Sequence, residues 1–157
     1  MTHTQLVQAA ARWLQAKCRV VATEIRTSVS ETPDVVGWHG FGKCVVIECK
    51  TSKSDFKADA KKAHIRAGTS IGDERWYLTP PGLIDLSEIP EGWGLVEYTP
   101  SKHANGYYMK RILDAPVRER SGTSLHMERR MLISVAGRAL EACSLIKSIW
   151  LGCEEDK

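Results

Sequence analysis

The sequence predicts one α/β domain, because stretches of helical period open, interrupt and close a series of short β-branched runs punctuated by turn residues. A length of 157 residues is enough for one hydrophobic core and short for two, so residues 1–157 are read as a single domain. Hydrophobic residues make up 43% and charged residues 26%, ordinary globular usage that excludes a disordered chain or a disulfide-dense miniature.

Each element has its own signal. Leu6, Val7, Ala10, Trp13 and Leu14 recur at helical spacing over residues 4–17, with Thr4 as the expected N-cap. Val20, Val21 and Ile25 make residues 19–27 a strand that contains Glu24. Residues 33–38 and 43–51 are two apolar runs around the glycine-rich stretch 37–42, the pattern of a β-hairpin. The period then changes: Phe56, Ala60, Ala63 and Ala67 line one face of a helix over 52–66, with Ser52 and Asp55 resembling a capping box. Strands follow at 75–79, 93–99 and 107–113, separated by Pro80-Pro81-Gly82 and Pro90-Glu91-Gly92. Met131, Leu132, Val135, Leu140 and Ile146 predict a long closing helix over 124–150. The core is expected over about residues 4–99, with residues 100–157 as a strand-and-helix extension.

Composition narrows the function classes. The longest apolar stretches fall far short of the roughly 20 residues a membrane helix needs, and the basic-then-apolar pattern of an export signal is missing. A cytoplasmic location and no membrane partner are therefore expected. Five cysteines, odd in number and without CxxC spacing, argue against both a disulfide framework and structural zinc. The net charge of +3 is too small to signal a nucleic-acid binder. Its distribution is more informative, because residues 50–66 carry six Lys or Arg against two Asp.

The candidate chemistry lies at the hairpin. On a strand ending Ile47-Glu48-Cys49-Lys50, Glu48 and Lys50 point to one face and Ile47 and Cys49 to the other. A turn centred on Phe41 sets Asp34 directly opposite Glu48, with Cβ atoms about 4.5–5.5 Å apart. Carboxylates that close repel unless a proton or cation lies between them, and a hard divalent cation takes oxygen ligands in this way. Lys50, about 7 Å along the same face, is placed to reach a water or a scissile phosphate. A salt-bridge ladder on a solvated sheet face is the other reading of these three residues.

Pro33-Asp34 followed by Glu48-Cys49-Lys50 resembles the signature of the PD-(D/E)xK nuclease superfamily. The resemblance implies a restriction-endonuclease-like αβββαβ core, a mixed central sheet flanked by helices, over about residues 4–80. It implies Mg2+ or Mn2+ held by Asp34, Glu48 and the main-chain carbonyl of Cys49, with Glu24 as an additional ligand and Lys50 assisting the attacking water. Residues 48–56, 77–82 and 92–95 look like small stand-alone bacterial and phage members linked to DNA repair. A glutamine often found on the helix after the lysine is absent, and Lys61 and His64 occupy its neighbourhood.

The expected activity is metal-dependent hydrolysis of DNA phosphodiester bonds, in repair, phage or restriction biology. The alternative is a catalytically silent nucleic-acid-binding or assembly module on the same fold. Lys53, Lys57, Lys61, Lys62 and His64 are the candidate DNA contacts, as a phosphate-facing surface beside the centre. Arg118, Arg120, Arg129 and Arg130 form a second basic cluster, read as either a DNA arm or a solvated helix flank. The closing helix is a candidate homodimer contact. Trp38, Trp76, Tyr77 and Trp93 are expected in the core or at its rim.

Overall fold

The fold is described from a computed structural model, over residues 1–25, 32–63, 70–101 and 107–143. A first helix, α1 (His3–Gln15), precedes strands β1 (Val20–Thr23), β2 (Val35–Trp38) and β3 (Cys44–Cys49). Helix α2 (Lys53–Ala63) leads to β4 (Glu74–Thr79), and a 3-10 turn at Leu86–Glu88 leads to β5 (Trp93–Pro100). Strand β6 (Tyr107–Leu113) and helix α3 (Gly122–Ala142) close the described chain. The order up to β4 is the αβββαβ order implied by the motif.

Six strands form one mixed sheet in sequence order, β1 to β6. Pairing is antiparallel from β1 to β3, parallel from β3 to β5, and antiparallel again between β5 and β6. Parallel β3 and β4 require a crossover, and α2 supplies it. Every residue of β3 is buried, because this central strand is covered on both faces and needs apolar side chains on each. Val45, Ile47 and Cys49 pack in one cluster with Leu6, Val7, Ala10 and Leu14 of α1. Cys44 and Val46 point the other way and pack with Met127 and Met131 of α3. Glu48 belongs to this second series, next to a third cluster of Phe56, Tyr77, Ile84, Trp93 and Leu95.

The hairpin follows the expected register: Val35 opposes Ile47 and Trp38 opposes Cys44, which carries on to Asp34 opposite Glu48. Gly42 adopts a positive φ of 83° in the turn, where the left-handed region suits glycine, and Phe41 beside it is fully exposed. Gly94 serves packing instead, since a Cβ there would lie 2.5 Å from a Trp76 ring carbon and 2.7 Å from the Ala115 nitrogen.

Several expectations are corrected. Thr2, not Thr4, caps α1: its extended backbone lets the hydroxyl accept from Gln5 N at 3.2 Å while the Gln5 side chain accepts from Thr2 N at 2.8 Å. Strand β1 ends at Thr23, and Glu24 lies beyond it with φ 51°, outside the extended conformation a strand requires. Helix α3 starts at Gly122 behind the Ser121 cap and ends at Ala142, short of the expected helix, because Cys143 is an extended C-cap; residues 144–150 lie outside the described residues. Arg120 is neither a DNA arm nor a solvated flank. Its side chain is 5% exposed and pairs with Glu128 and Asp73, while the Trp38 indole donates to the other Glu128 oxygen at 2.9 Å. This buried network ties α3 to the sheet.

Candidate functional site

Glu48 is the centre of a polar cluster at the sheet end where β3 finishes and β2 begins. It is buried, 4% exposed, on a strand that is otherwise Cys, Val and Ile. Lys50, 6% exposed, follows after one intervening residue on the same face, and its backbone N–H continues the parallel pairing by donating to Leu78 O at 2.9 Å. Its ammonium approaches Glu48 Oε2 at 3.4 Å and Asp59 Oδ2 at 3.6 Å. Two buried residues of opposite charge therefore stand together as strand alternation requires.

Asp34 completes the hairpin side. Its Oδ2 accepts from the Cys49 backbone N–H at 2.7 Å and lies 3.3 Å from His3 Nε2 at the start of α1. Its own carbonyl accepts from Glu24 N at 3.0 Å, which fixes the backbone at the entry to β2. Burial pushes the Glu48 carboxyl up to about 8, and the negative charges of Asp34 and Asp59 add to it against the opposing pull of Lys50 and Arg75. For Lys50, burial alone lowers the ammonium, but Glu48, Asp59, Asp34 and Asp55 together outweigh it and raise it.

One oxygen of Glu48, Oε1, is buried and has no hydrogen-bond partner. Such an atom is costly in a dry environment unless a proton or a cation satisfies it. Asp34, Glu48 and the Cys49 carbonyl are all oxygen donors, the chemistry that Mg2+ or Mn2+ takes. The residues thus fit the cation implied by the motif. Among the described residues no three His, Cys, Asp or Glu side chains gather as a ready ligand group, so a cation here would find Asp34 and Glu48 as its side-chain donors. Glu24 is exposed and does not join them.

The expected DNA contacts separate into three kinds. Lys53 is paired with Asp85 at 3.2 Å and Glu88 at 2.9 Å, and Lys57 with Glu88 at 3.8 Å, so both are held by the segment around the 3-10 turn. Lys61 and Lys62 are exposed on the last turn of α2. His64 lies outside the described residues. Trp76, Tyr77 and Trp93 are core residues, with Tyr77 stacked on Trp93 at 4.3 Å.

Three residues that sequence reasoning did not select belong to the cluster. Asp59 reaches it because Phe56, three residues earlier, buries against Tyr77 and turns that face of α2 toward the sheet. The Tyr77 hydroxyl donates to Asp59 Oδ2 at 3.3 Å. His3 arrives from the opposite end of the chain. A usable signal existed only for Asp59, whose spacing from Phe56 puts it on the inner helical face.

No known protein-family profile matches the chain, and no curated protein matches it. A solved structure, the SPO1766 protein of unknown function from Silicibacter pomeroyi, is similar in fold. It has 24% identity and a TM-score of 0.66, over 89% of this chain and 90% of that one. The likeness establishes the shared α/β architecture, a six-stranded mixed sheet with flanking helices. No helix among the described residues is long and apolar enough to cross a membrane.

Proposed function

We propose that the protein is a metal-dependent DNA nuclease of the PD-(D/E)xK type, acting through Asp34, Glu48 and Lys50. The observation that carries this reading is the buried, partnerless oxygen of Glu48, placed opposite Asp34 and 3.4 Å from the Lys50 ammonium on the other oxygen. A salt-bridge ladder on a solvated face does not account for it, because Glu48 and Lys50 are both buried.

Asp34, Glu48 and the Cys49 carbonyl would hold Mg2+ or Mn2+. When bound, the ion supplies Lewis-acid activation of water and neutralisation of phosphate charge. Lys50 acts as a fixed cation and hydrogen-bond donor that orients the attacking water and stabilises charge developing on the phosphate. Asp34 is itself oriented by the Cys49 N–H, so the strand that carries Glu48 also positions the opposing carboxylate. Lys61 and Lys62, at the C-terminal end of the crossover helix, supply phosphate contacts that hold the backbone of DNA without reading its sequence.

The test separates binding from chemistry. Lys50→Ala loses most cleavage but keeps DNA affinity nearly intact, since it removes a transition-state contact and only one cation from a wider basic surface. Gel-based cleavage and fluorescence anisotropy on the same DNA measure the two. Parental cleavage by Lys50→Ala removes its assigned role. A parent that binds DNA but cuts plasmid, linear, single-stranded and branched substrates with neither metal is a binding module instead.

A further inference from the structure

Among the described residues Lys50 has two carboxylate partners, and only one of them lies on the sheet. Glu48, at 3.4 Å, is the residue that a cation at this site would also claim. Asp59, at 3.6 Å, comes from α2 and is not one of the donors proposed above. Were Glu48 to serve as a metal donor, Asp59 would remain the counter-charge that keeps the buried Lys50 side chain from relaxing toward solvent. Asp59 is in turn held from two directions. Phe56 packs edge-on against Tyr77 with ring centres 5.0 Å apart, fixing the inner face of α2, and the Tyr77 hydroxyl donates to Asp59 Oδ2 at 3.3 Å. Tyr77 is fully buried, stacked on Trp93, and sits beside Glu48 in the parallel register. Its hydroxyl therefore has little freedom to point elsewhere.

We infer that Asp59, oriented by Tyr77, is the positioning residue for Lys50, holding its ammonium at the reacting end of the site. The inference rests on the nuclease reading for its purpose, but the contact itself does not depend on cleavage. Helix α2 thus links the chemical centre to the surface lysines that follow it, so one rigid element sets both.

Two measurements on the full-length chain test it. The first is the acetylation rate of Lys50 by acetic anhydride in EDTA, read by mass spectrometry. In Asp59→Asn the Lys50 side chain, without this counter-charge, reaches its neutral, nucleophilic amine form and the reagent more readily and is acetylated several-fold faster, with acetate and a proton released; Asp59→Glu returns part of the protection, and Tyr77→Phe gives a smaller rise. The second is steady-state cleavage: Asp59→Asn lowers kcat by roughly 10- to 100-fold while KM for DNA stays within about twofold, because a displaced catalytic group costs turnover rather than binding. A purely structural role for Asp59 would lower thermal stability and leave both the Lys50 rate and kcat per folded molecule unchanged. Tyr77→Phe, which deletes a single hydroxyl, provides the decision where Asp59→Asn does not fold. An unchanged Lys50 acetylation rate in the folded variants overturns the positioning role whether or not the parent cuts DNA. A parent without nuclease activity but with faster acetylation in Asp59→Asn overturns the nuclease reading and leaves the positioning contact standing.

Discussion

Ionising Glu48 in the metal-free protein should cost stability, and Glu48→Gln isolates that cost. The carboxyl is 4% exposed and its folded value is raised from 4.5 to about 8, chiefly by burial. Between those values the folded state keeps a proton that the unfolded chain has released, so unfolding stability falls as pH rises through this window and levels off above it. One such proton corresponds to at most about 1.4 kcal/mol per pH unit. Glu48→Gln cannot ionise and should lack this component, so its stability profile between pH 5 and pH 8 should be flatter than the parent's by about 0.7–1.4 kcal/mol per unit. Urea unfolding in EDTA, followed by tryptophan fluorescence at half-unit pH steps, measures the difference. Mg2+ or Mn2+ should then stabilise the parent more at pH 8 than at pH 6, because the ion takes the ionised carboxylate. Parallel profiles for parent and Glu48→Gln in EDTA would refute the reasoning, since they would mean that Glu48 ionises as easily in the fold as outside it.

Other outcomes follow from the same contacts. Arg120→Met leaves Glu128 buried against Trp38 without its cation and should cost about 3–5 kcal/mol in chemical denaturation. Adding Glu128→Gln should recover much of it, because the amide oxygen still accepts from the Trp38 indole; no recovery would place the cost elsewhere. Lys61→Ala with Lys62→Ala should make the salt dependence of duplex binding shallower by roughly 1.8 in log–log slope. Glu88→Ala, which releases Lys57 and leaves Lys53 paired with Asp85 alone, should steepen it, and an unaltered slope would mean that Lys57 does not reach DNA. Gly94→Ala forces a Cβ onto Trp76 and Ala115 and should destabilise by about 1–3 kcal/mol on the same denaturation curves.

The residues differ in how far local sequence reveals their roles. Glu48 and Lys50 were legible because strand alternation is local: an apolar run that ends in two charges one residue apart puts both on one face. Asp34 opposite Glu48 followed from the short glycine-rich turn, and the observed register agrees. Strand β6 was also read to its ends, at residues 107–113. Asp59, Tyr77 and His3 reach the cluster only through the crossover of α2, the parallel pairing of β3 with β4 and the approach of α1, contacts that no local period encodes. Arg120 looked like one more surface charge, since its partners, the half-buried Asp73 and the buried Glu128, are distant or a helical stretch away. Lys53 and Lys57 looked free for the same reason, because Asp85 and Glu88 come to them through tertiary folding. Glu24 was misread through β-propensity, which ran the first strand past a residue whose backbone turns left-handed.

Metal dependence of DNA cleavage tests hydrolysis at Asp34 and Glu48 most directly. Plasmid DNA incubated with the parent protein should be cut in Mg2+ or Mn2+ and left intact in EDTA, while Asp34→Asn, folded and bound to DNA with equal or greater affinity, should leave it intact in either metal. Cleavage that persists in EDTA, or cleavage by Asp34→Asn at the parental rate, would contradict a metal-dependent centre built on these two carboxylates.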